Sequence, residues 1–195
     1  AAGQSFFVEN AAAGSFQFTN TMRIAGNNSQ FFKQANTKKT ATVEKNRVWL
    51  NLTNSGGAFK QLLIGYVEGA TNGIDAIYDA TTMGSNSYLD FYSINESKKL
   101  TIQGRALPFD NTEVIPLGYK SGVDDKGDRN FTISIDHADG LFATQPVYLE
   151  DKETGKIVDL RKENYTFFSV AGTYLTRFTL RYTNKTLGTD DFENL

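Results

Sequence analysis

The sequence predicts an all-β protein made of antiparallel β-sandwiches. Its 195 residues include 15 Phe, 9 Tyr and 17 Gly but only 2 Met, and aromatic and branched side chains pack well on a pleated, half-buried surface. Short apolar runs recur roughly every ten residues between Gly, Asn, Asp and Ser clusters, the pattern of sandwich strands and turns. This pattern does not alternate with helical segments, which argues against a parallel α/β sheet.

The predicted architecture has two parts and a tail. A jelly-roll-like sandwich is predicted for residues 1–104, with an incomplete N-terminal edge, and an immunoglobulin-like sandwich for residues 105–183. Residues 184–195 are polar and are predicted to form a linker. The apolar fraction of 39% is enough for one sizeable core, because a chain of this length buries about 70% of its unfolded surface. One domain, or two tightly joined sandwiches, is expected.

The chain begins with short predicted strands and continues into a long loop. Gly14 and Asn20 mark turns between short apolar runs. Residues 25–46 are polar and weakly patterned, which predicts an exposed loop. The predicted strands of this region are residues 5–9, 15–18 and 22–24.

The clearest hairpin lies between residues 47 and 66. The strand Arg47–Thr53 places Val48, Leu50 and Leu52 on one face and Trp49 on the other. A Gly-containing turn at residues 54–57 then leads into a second strand at residues 59–66. This hairpin is predicted to form the centre of a sheet.

Further strands follow with the same spacing. Pro116 lacks the N–H group that a ladder requires, so its strand is predicted to lie at an edge or to carry a bulge. Residues 153–156 and 171–173 are predicted to turn the chain within two C-terminal hairpins. The predicted strands are residues 88–94, 100–102, 114–119, 130–136, 147–152, 157–160, 165–170 and 177–182.

Composition excludes several classes of partner and chemistry. Lys plus Arg number 20 against 22 Asp plus Glu, a formal net charge of -2, which provides no global field for attracting nucleic acid. The chain has no Cys, so disulfides and thiolate chemistry are excluded. No apolar run approaches the roughly 18 residues of a membrane span. No nucleic-acid partner and no membrane insertion are therefore predicted.

His137 is the single histidine and the first candidate for catalysis. Asp136 and Asp139 flank it and are positioned to orient a general base. The alternative interpretation is a turn residue whose polar atoms bond to neighbouring backbone. No Gly-x-Ser-x-Gly nucleophile motif accompanies His137, and the alternative is favoured.

Two acidic loops are candidates for a structural calcium. Calcium takes six to eight oxygen ligands, and the turns at Gly69 and Gly73 can bring three carboxylates together. Bonds from aspartate to backbone N–H groups are the commoner use of such residues and are favoured. The same carboxylates also permit a weakly supported glycosidase pair. The candidate residues are Asp124, Asp125 and Asp128 in one loop and Glu68, Asp75 and Asp79 in the other.

Aromatic side chains form the last candidate site. Exposed rings at strand positions bind sugars by stacking, whereas buried rings form core and cross-strand pairs. The core interpretation is favoured. The residues are Trp49, Tyr66, Tyr78, Tyr88 and Tyr92. The resulting assignment names no catalytic, cofactor-binding or metal-binding residue.

Segments along nearly the whole chain together resemble a module of large secreted proteins of the Bacteroidota phylum. That module lies just before the sorting domain that the type IX secretion system reads. The tail at residues 187–192 is similar to the linker into that domain, so the resemblance implies a sorting domain beyond residue 195. The matching segments are residues 3–8, 20–23, 47–54, 73–79, 100–109, 114–119, 147–152 and 177–182.

The resemblance implies a secreted or surface-attached module without catalytic residues, and its implied partner is the secretion machinery. We therefore expect a non-catalytic structural or adhesive role outside the cell. The alternative is a carbohydrate-binding module of a secreted polysaccharide-degrading enzyme, with a cell-surface glycan or polysaccharide as its ligand. An enzyme is the third and least supported interpretation.

Overall fold

The computed structural model describes residues 12–15, 17–22, 45–84, 86–123 and 126–184. The chain divides into two compact units, Ala1–Val43 and Glu44–Leu195. In the first unit, a 3-10 helix covers Asn20–Met22, and the hydroxyl oxygens of Thr19 and Thr21 lie 2.6 Å apart.

Two of the first predicted strands are wrong where the structure describes them. Gln17 and Phe18 lie outside any strand, and Met22 ends a 3-10 helix instead of starting a strand. The described residues of these two runs pair with no neighbouring strand, and an apolar run of three or four residues does not define a strand by itself. The strand predicted at residues 5–9 and nearly all of the 25–46 loop lie outside the described residues, as does the linker after Asn184.

The described part of the second unit is all-β, with one short 3-10 helix at Gly140–Ala143. No helix among the described residues is long and apolar enough to cross a membrane. The strands are β1 (Asn46–Asn54), β2 (Phe59–Tyr66), β3 (Ala80–Thr81), β4 (Leu89–Asn95), β5 (Lys98–Arg105), β6 (Val114–Ser121), β7 (Asn130–Asp139), β8 (Tyr148–Asp151), β9 (Lys156–Asp159), β10 (Tyr165–Phe168) and β11 (Gly172–Arg181).

These strands form one mixed sheet in the order β10-β7-β1-β2-β5-β4-β6-β11-β8-β9, with β3 beside β5. The β2–β5 pair is parallel and the other described pairs are antiparallel. The sheet nearly closes on itself. Phe167 of β10 and Phe178 of β11 pack with ring centroids 4.7 Å apart, so the first strand in this order contacts a strand near the other end.

The alternation predicted for the central hairpin is confirmed. Val48 and Leu50 are fully buried and lie opposite Ile64 and Leu62 on β2, while Trp49 lies on the other face. The predicted hairpins β4–β5 and β8–β9 are also present. These inward side chains belong to one core that runs through the whole second unit.

Other connections differ from the prediction. β10 pairs with β7, and β11 pairs with β6 and β8, so the hairpin predicted across residues 171–173 is wrong. Residues 172 and 173 already belong to β11. The pairs β1–β7 and β4–β6 both cross the boundary predicted near residue 104. The described strands therefore do not separate into sandwiches at 1–104 and 105–183, because strands from both sides of residue 104 pair within one sheet.

Pro116 is accommodated inside the sheet. β6 lies between β4 and β11 instead of at an edge, and its pairing with β11 carries a register shift, a bulge or irregularity, between Tyr174 and Phe178. The described β4–β6 ladder ends at Leu117, the residue that follows Pro116 in the sequence, and on the other side Pro116 lies opposite Thr179. Among the described pairs Pro116 therefore has a ladder partner on the β11 side alone, as a residue of an edge strand does.

Candidate functional site

Trp49 and His137 lie side by side on the outer face of the sheet. They are register partners on β1 and β7, and their ring centroids are 5.0 Å apart with the planes inclined by 47°. The guanidinium of Arg47 lies over the indole, 4.7 Å from its centroid. Arg47 is in turn held by Asp139, whose Oδ2 accepts from its Nε at 3.0 Å. Trp49 is therefore half-buried beneath these neighbours rather than open for stacking.

A β-bulge brings the acidic neighbour of His137 to the same face. Trp49 pairs with His137 but Leu50 pairs with Ile135, so Asp136 is the extra residue of β7. An extra residue interrupts the in-out alternation of a strand, and both Asp136 and His137 are exposed. Bulges of this kind re-aim side chains and are enriched near functional sites.

The two carboxylates that flank His137 bind other groups. Asp136 accepts hydrogen bonds from Asn51 Nδ2 and Gln61 Nε2, each at 3.2 Å. Asp139 accepts from Arg47, and this bond lowers the pKa of the Asp139 carboxyl below its usual value. The structure therefore brings the predicted trio together on one face but engages both acids with partners other than His137.

The loop between β2 and β3 uses its acids to brace the backbone. Asp75 Oδ2 accepts from the Thr71 N–H at 2.6 Å. Asp79 accepts from the N–H groups of Asp75 and Gly104, both at 2.7 Å. Among the residues that the structure describes, no group of three or more acidic or histidine side chains is placed to hold a metal ion. The carboxylate oxygens that a calcium ion would need accept backbone hydrogen bonds, the use favoured in the sequence analysis.

The second acidic loop is described only in part. Asp124 and Asp125 lie outside the described residues. Asp128 accepts from the Ser55 hydroxyl and from the Asn130 N–H, and these bonds lower the pKa of its carboxyl to about 2. Asp128 thus stays ionised, and its hydrogen bonds connect the segment before β7 to the turn between β1 and β2.

The predicted aromatic set divides between core and surface. Tyr66 and Tyr92 are buried, and burial raises the pKa of Tyr92 to about 12. Tyr78 and Trp49 are half-buried. Tyr88 is 66% exposed and is the one member of the set whose ring stays largely open. The core interpretation is right for two of the five residues.

An open cleft lies at the end of the sheet where three connections meet. Its volume is about 530 Å³, within the range of about 300–1,000 Å³ for small-molecule sites. Tyr88 and Phe59, which is 52% exposed, contribute its two large rings. The remaining lining residues are Asn54, Gly56, Gly57, Ala58, Asn86, Gly122, Val123, Gly127 and Asp128.

Backbone hydrogen bonds hold this cleft in place. Asn86 Oδ1 accepts from the Tyr88 N–H at 2.9 Å, and the Gly122 N–H donates to the Tyr88 carbonyl at 2.9 Å. Asn54 accepts from the Ala58 N–H at 2.9 Å and donates to the Asp128 carbonyl at 2.7 Å. The three connections are thus tied to one another.

A glycine explains how closely two of these connections approach. A Cβ atom at Gly122 would lie 2.0 Å from the carbonyl oxygen of Ser87. Glycine is therefore required there for the β6–β7 connection to reach the segment that carries Tyr88. The cleft was missed in the sequence, although the glycines at positions 56, 57, 122 and 127 were a usable signal.

Comparison with known proteins gives one match. The family model described as Domain of unknown function (DUF8693) matches residues 1–182. No curated protein and no solved structure matches the chain.

Proposed function

Because the chain belongs to the family described as Domain of unknown function (DUF8693), we propose a role from its own residues. The chain acts as a non-catalytic structural or adhesive module of a secreted or cell-surface protein. Its described part provides a closely packed sheet, and its open surface at the loop end is available for attachment.

One observation carries the non-catalytic part of this proposal. The acids with candidate roles in chemistry already bond to structural partners: Asp136 to two side-chain amides, Asp139 to Arg47, and Asp79 to two backbone N–H groups. A general acid or base must keep an oxygen within reach of the substrate proton. Carboxylates that brace loops and strands support a scaffold role instead.

A buried polar network supports the structural part. Arg177 and Asp151 are paired at 2.9 Å with side chains 8% and 1% exposed, and the Tyr165 hydroxyl donates to the same carboxylate at 2.7 Å. The network joins β10 to β8 and β11. A domain whose terminal strands are joined through its core opens locally with difficulty, which suits a module exposed to proteases and tension.

For the finer architecture we propose a β-sandwich. One layer centres on β7 and β1 and the other on β6 and β11. Tyr119 of β6 packs on Phe167 of β10 with centroids 5.3 Å apart, and its hydroxyl bonds to Ser169 at 3.0 Å. Rings that reach across the core between the two halves support stacked layers.

The cellular setting of this proposal rests on the sequence resemblance. Export by a type IX secretion system, through a sorting domain in the parent protein, gives a location outside the cell. The absence of Cys is compatible with an oxidising compartment, where unpaired thiols misreact.

A second candidate function, a carbohydrate-binding module of a polysaccharide-degrading enzyme, is favoured by one observation. The loop-end cleft presents Phe59 and Tyr88 with more than half of each side chain exposed. Two exposed rings beside polar side chains in one cleft are typical of a site that binds a ligand.

The test of the main proposal uses the whole chain on a panel of insoluble and soluble polysaccharides. Attachment is measured by pull-down and turnover by the release of reducing sugar. We expect no turnover at any pH between 4 and 9. The proposal would be overturned if wild type released reducing sugar and both His137→Ala and Asp136→Asn did not. That result would show that the outer face of the sheet performs catalysis.

A further inference from the structure

We infer that the loop-end cleft, lined by Phe59, Tyr88, Asn86 and Asp128, binds a short stretch of a neutral saccharide. The inference deepens the proposed adhesive role and depends on it.

The two rings are exposed although their backbones are fixed. Tyr88 is bonded at its N–H by Asn86 and at its carbonyl by Gly122, both at 2.9 Å, yet its side chain is 66% exposed. Phe59 begins β2 opposite Thr53 and is 52% exposed. Because the backbone at both rings is already ordered, covering the rings with a ligand costs little backbone conformational entropy.

The cleft offers hydrogen-bond donors and acceptors next to the rings. Asn86 uses Oδ1 for the N–H groups of Tyr88 and Leu89, while its Nδ2 donates to no other residue in the described part of the chain. Asp128 Oδ1 accepts from the N–H and Nδ2 of Asn130, and its Oδ2 accepts from Ser55, which leaves one lone pair on Oδ2 for a ligand hydroxyl. A sugar hydroxyl is both donor and acceptor, so it can bond to either group.

A saccharide fits this combination better than an anion or an apolar ligand. The carboxylate of Asp128 repels phosphate and carboxylate groups. A purely apolar molecule would cover Asn86 Nδ2 without giving this donor a partner, which disfavours such a ligand. The C–H face of a pyranose ring packs on an aromatic ring while its hydroxyls point to the rim, and four glycines leave space for it.

The experiment measures binding of cello-, xylo-, manno- and chito-tetraose to the whole chain by calorimetry and by NMR shifts. At least one tetrasaccharide is expected to bind. Tyr88→Ala and Phe59→Ala are each expected to lower its affinity by about tenfold, which corresponds to about 1.4 kcal/mol for the loss of a stacked ring. Asn86→Asp keeps the oxygen that holds Tyr88 but removes the donor, and is expected to weaken binding by about threefold to tenfold.

Phe168→Ala is the matched control. Phe168 is 53% exposed, as much as Phe59, but lies on β10 outside the cleft lining. Its replacement is expected to leave saccharide affinity unchanged.

The outcomes separate this inference from the proposed function. If no tetrasaccharide binds, or if the one that binds is unaffected by both Tyr88→Ala and Phe59→Ala in folded variants, the cleft assignment is wrong while a non-catalytic role stands. Preferential binding of a cationic peptide at the same two rings would also overturn the saccharide assignment. Cleavage of a bound tetrasaccharide would overturn the non-catalytic function and leave the cleft in place.

Discussion

Arg177 and Asp151 form an ion pair inside the core, with Nη2 and Oδ2 separated by 2.9 Å. The Arg177 guanidinium also lies 4.7 Å from the ring centroid of Phe167 and 5.0 Å from that of Phe178. One cation thus contacts β10, β8 and β11 at once. The pair links β10, at one end of the strand order, to β11 and β8 near the other end. Its loss should therefore destabilise the whole second unit.

We expect Arg177→Met to lower the free energy of unfolding by about 3–5 kcal/mol, because the buried carboxylate of Asp151 loses its cation. Urea unfolding at neutral pH measures the change. The control is Lys162→Met, since Lys162 pairs with Asp159 at 3.3 Å but is 80% exposed. Exposed ion pairs contribute at most about 1 kcal/mol to the free energy of unfolding, so the loss in this control should be small. Equal losses in the two variants would show that the buried pair has no special role.

Acid should destabilise the second unit partly through Asp151. Burial acts to raise the pKa of this carboxyl, but bonds from Arg177 and Tyr165 outweigh it, so the folded pKa lies below the usual value. The stabilisation is therefore fully present above the unfolded pKa of about 3.9 and is lost as pH falls through the lower folded pKa. We expect a shallow dependence between pH 7 and 5 and a steeper fall below about pH 4.

Urea unfolding of wild type and Asp151→Asn across that range checks this assignment. The variant should be less stable at pH 7 and should lose less stability on acidification. Asp128 and Asp139 also have lowered pKa values, so part of the acid dependence will remain. A variant with the full wild-type slope would contradict the role of Asp151.

Gly118→Ala should destabilise the sheet. An added Cβ would lie 2.5 Å from Tyr92 Cε2 and 3.1 Å from the Tyr174 carbonyl oxygen. Overpacking of this kind costs about 1–3 kcal/mol, measurable by thermal unfolding. Gly56→Ala is the comparison, because its nearest neighbour would be an Asn54 side-chain atom at 3.5 Å. If Gly118→Ala proved as stable as Gly56→Ala, the close packing of β6 against β4 would be disproved.

Asp79→Ala should destabilise the protein in a way that calcium does not reverse. Its carboxylate accepts from the N–H groups of Asp75 and Gly104, and leaving such donors without a partner costs about 1–3 kcal/mol. The melting temperature of wild type should be the same in calcium and in EDTA. A calcium-dependent rise in wild type that disappears in the variant would instead establish a metal site in this loop.

The strands from residue 46 onward were largely predictable, whereas their partners were not. The alternation of Val48, Leu50 and Leu52 around Trp49 follows from the two-residue period of a strand and holds in the structure. The pairing of β1 with β7 depends on residues about eighty positions away, which no local pattern encodes. The two-residue strand β3 was missed for the same reason, because its pairing with β5 defines it.

The site was less predictable than the fold. Trp49 and His137 were both identified as candidates, but their contact needs the β1–β7 register and the extra residue Asp136. Tyr66, Tyr88 and Tyr92 look alike in sequence, and only burial separates the exposed Tyr88 from the two core residues. The sequence predicts Phe59 as the start of a strand, whereas its place in a cleft depends on connections from elsewhere in the chain.

The β1–β7 pairing also has a consequence for biosynthesis. Arg47 and Asp139, which close this ladder, are 92 positions apart, so a ribosome must add all of the chain between them before that edge of β1 is fully covered. Until then β1 offers unpaired N–H and C=O groups to any neighbouring nascent chain. Contacts between distant positions also form slowly. Recombinant yield should therefore improve with slow synthesis at low temperature or with chaperones that shield strand edges.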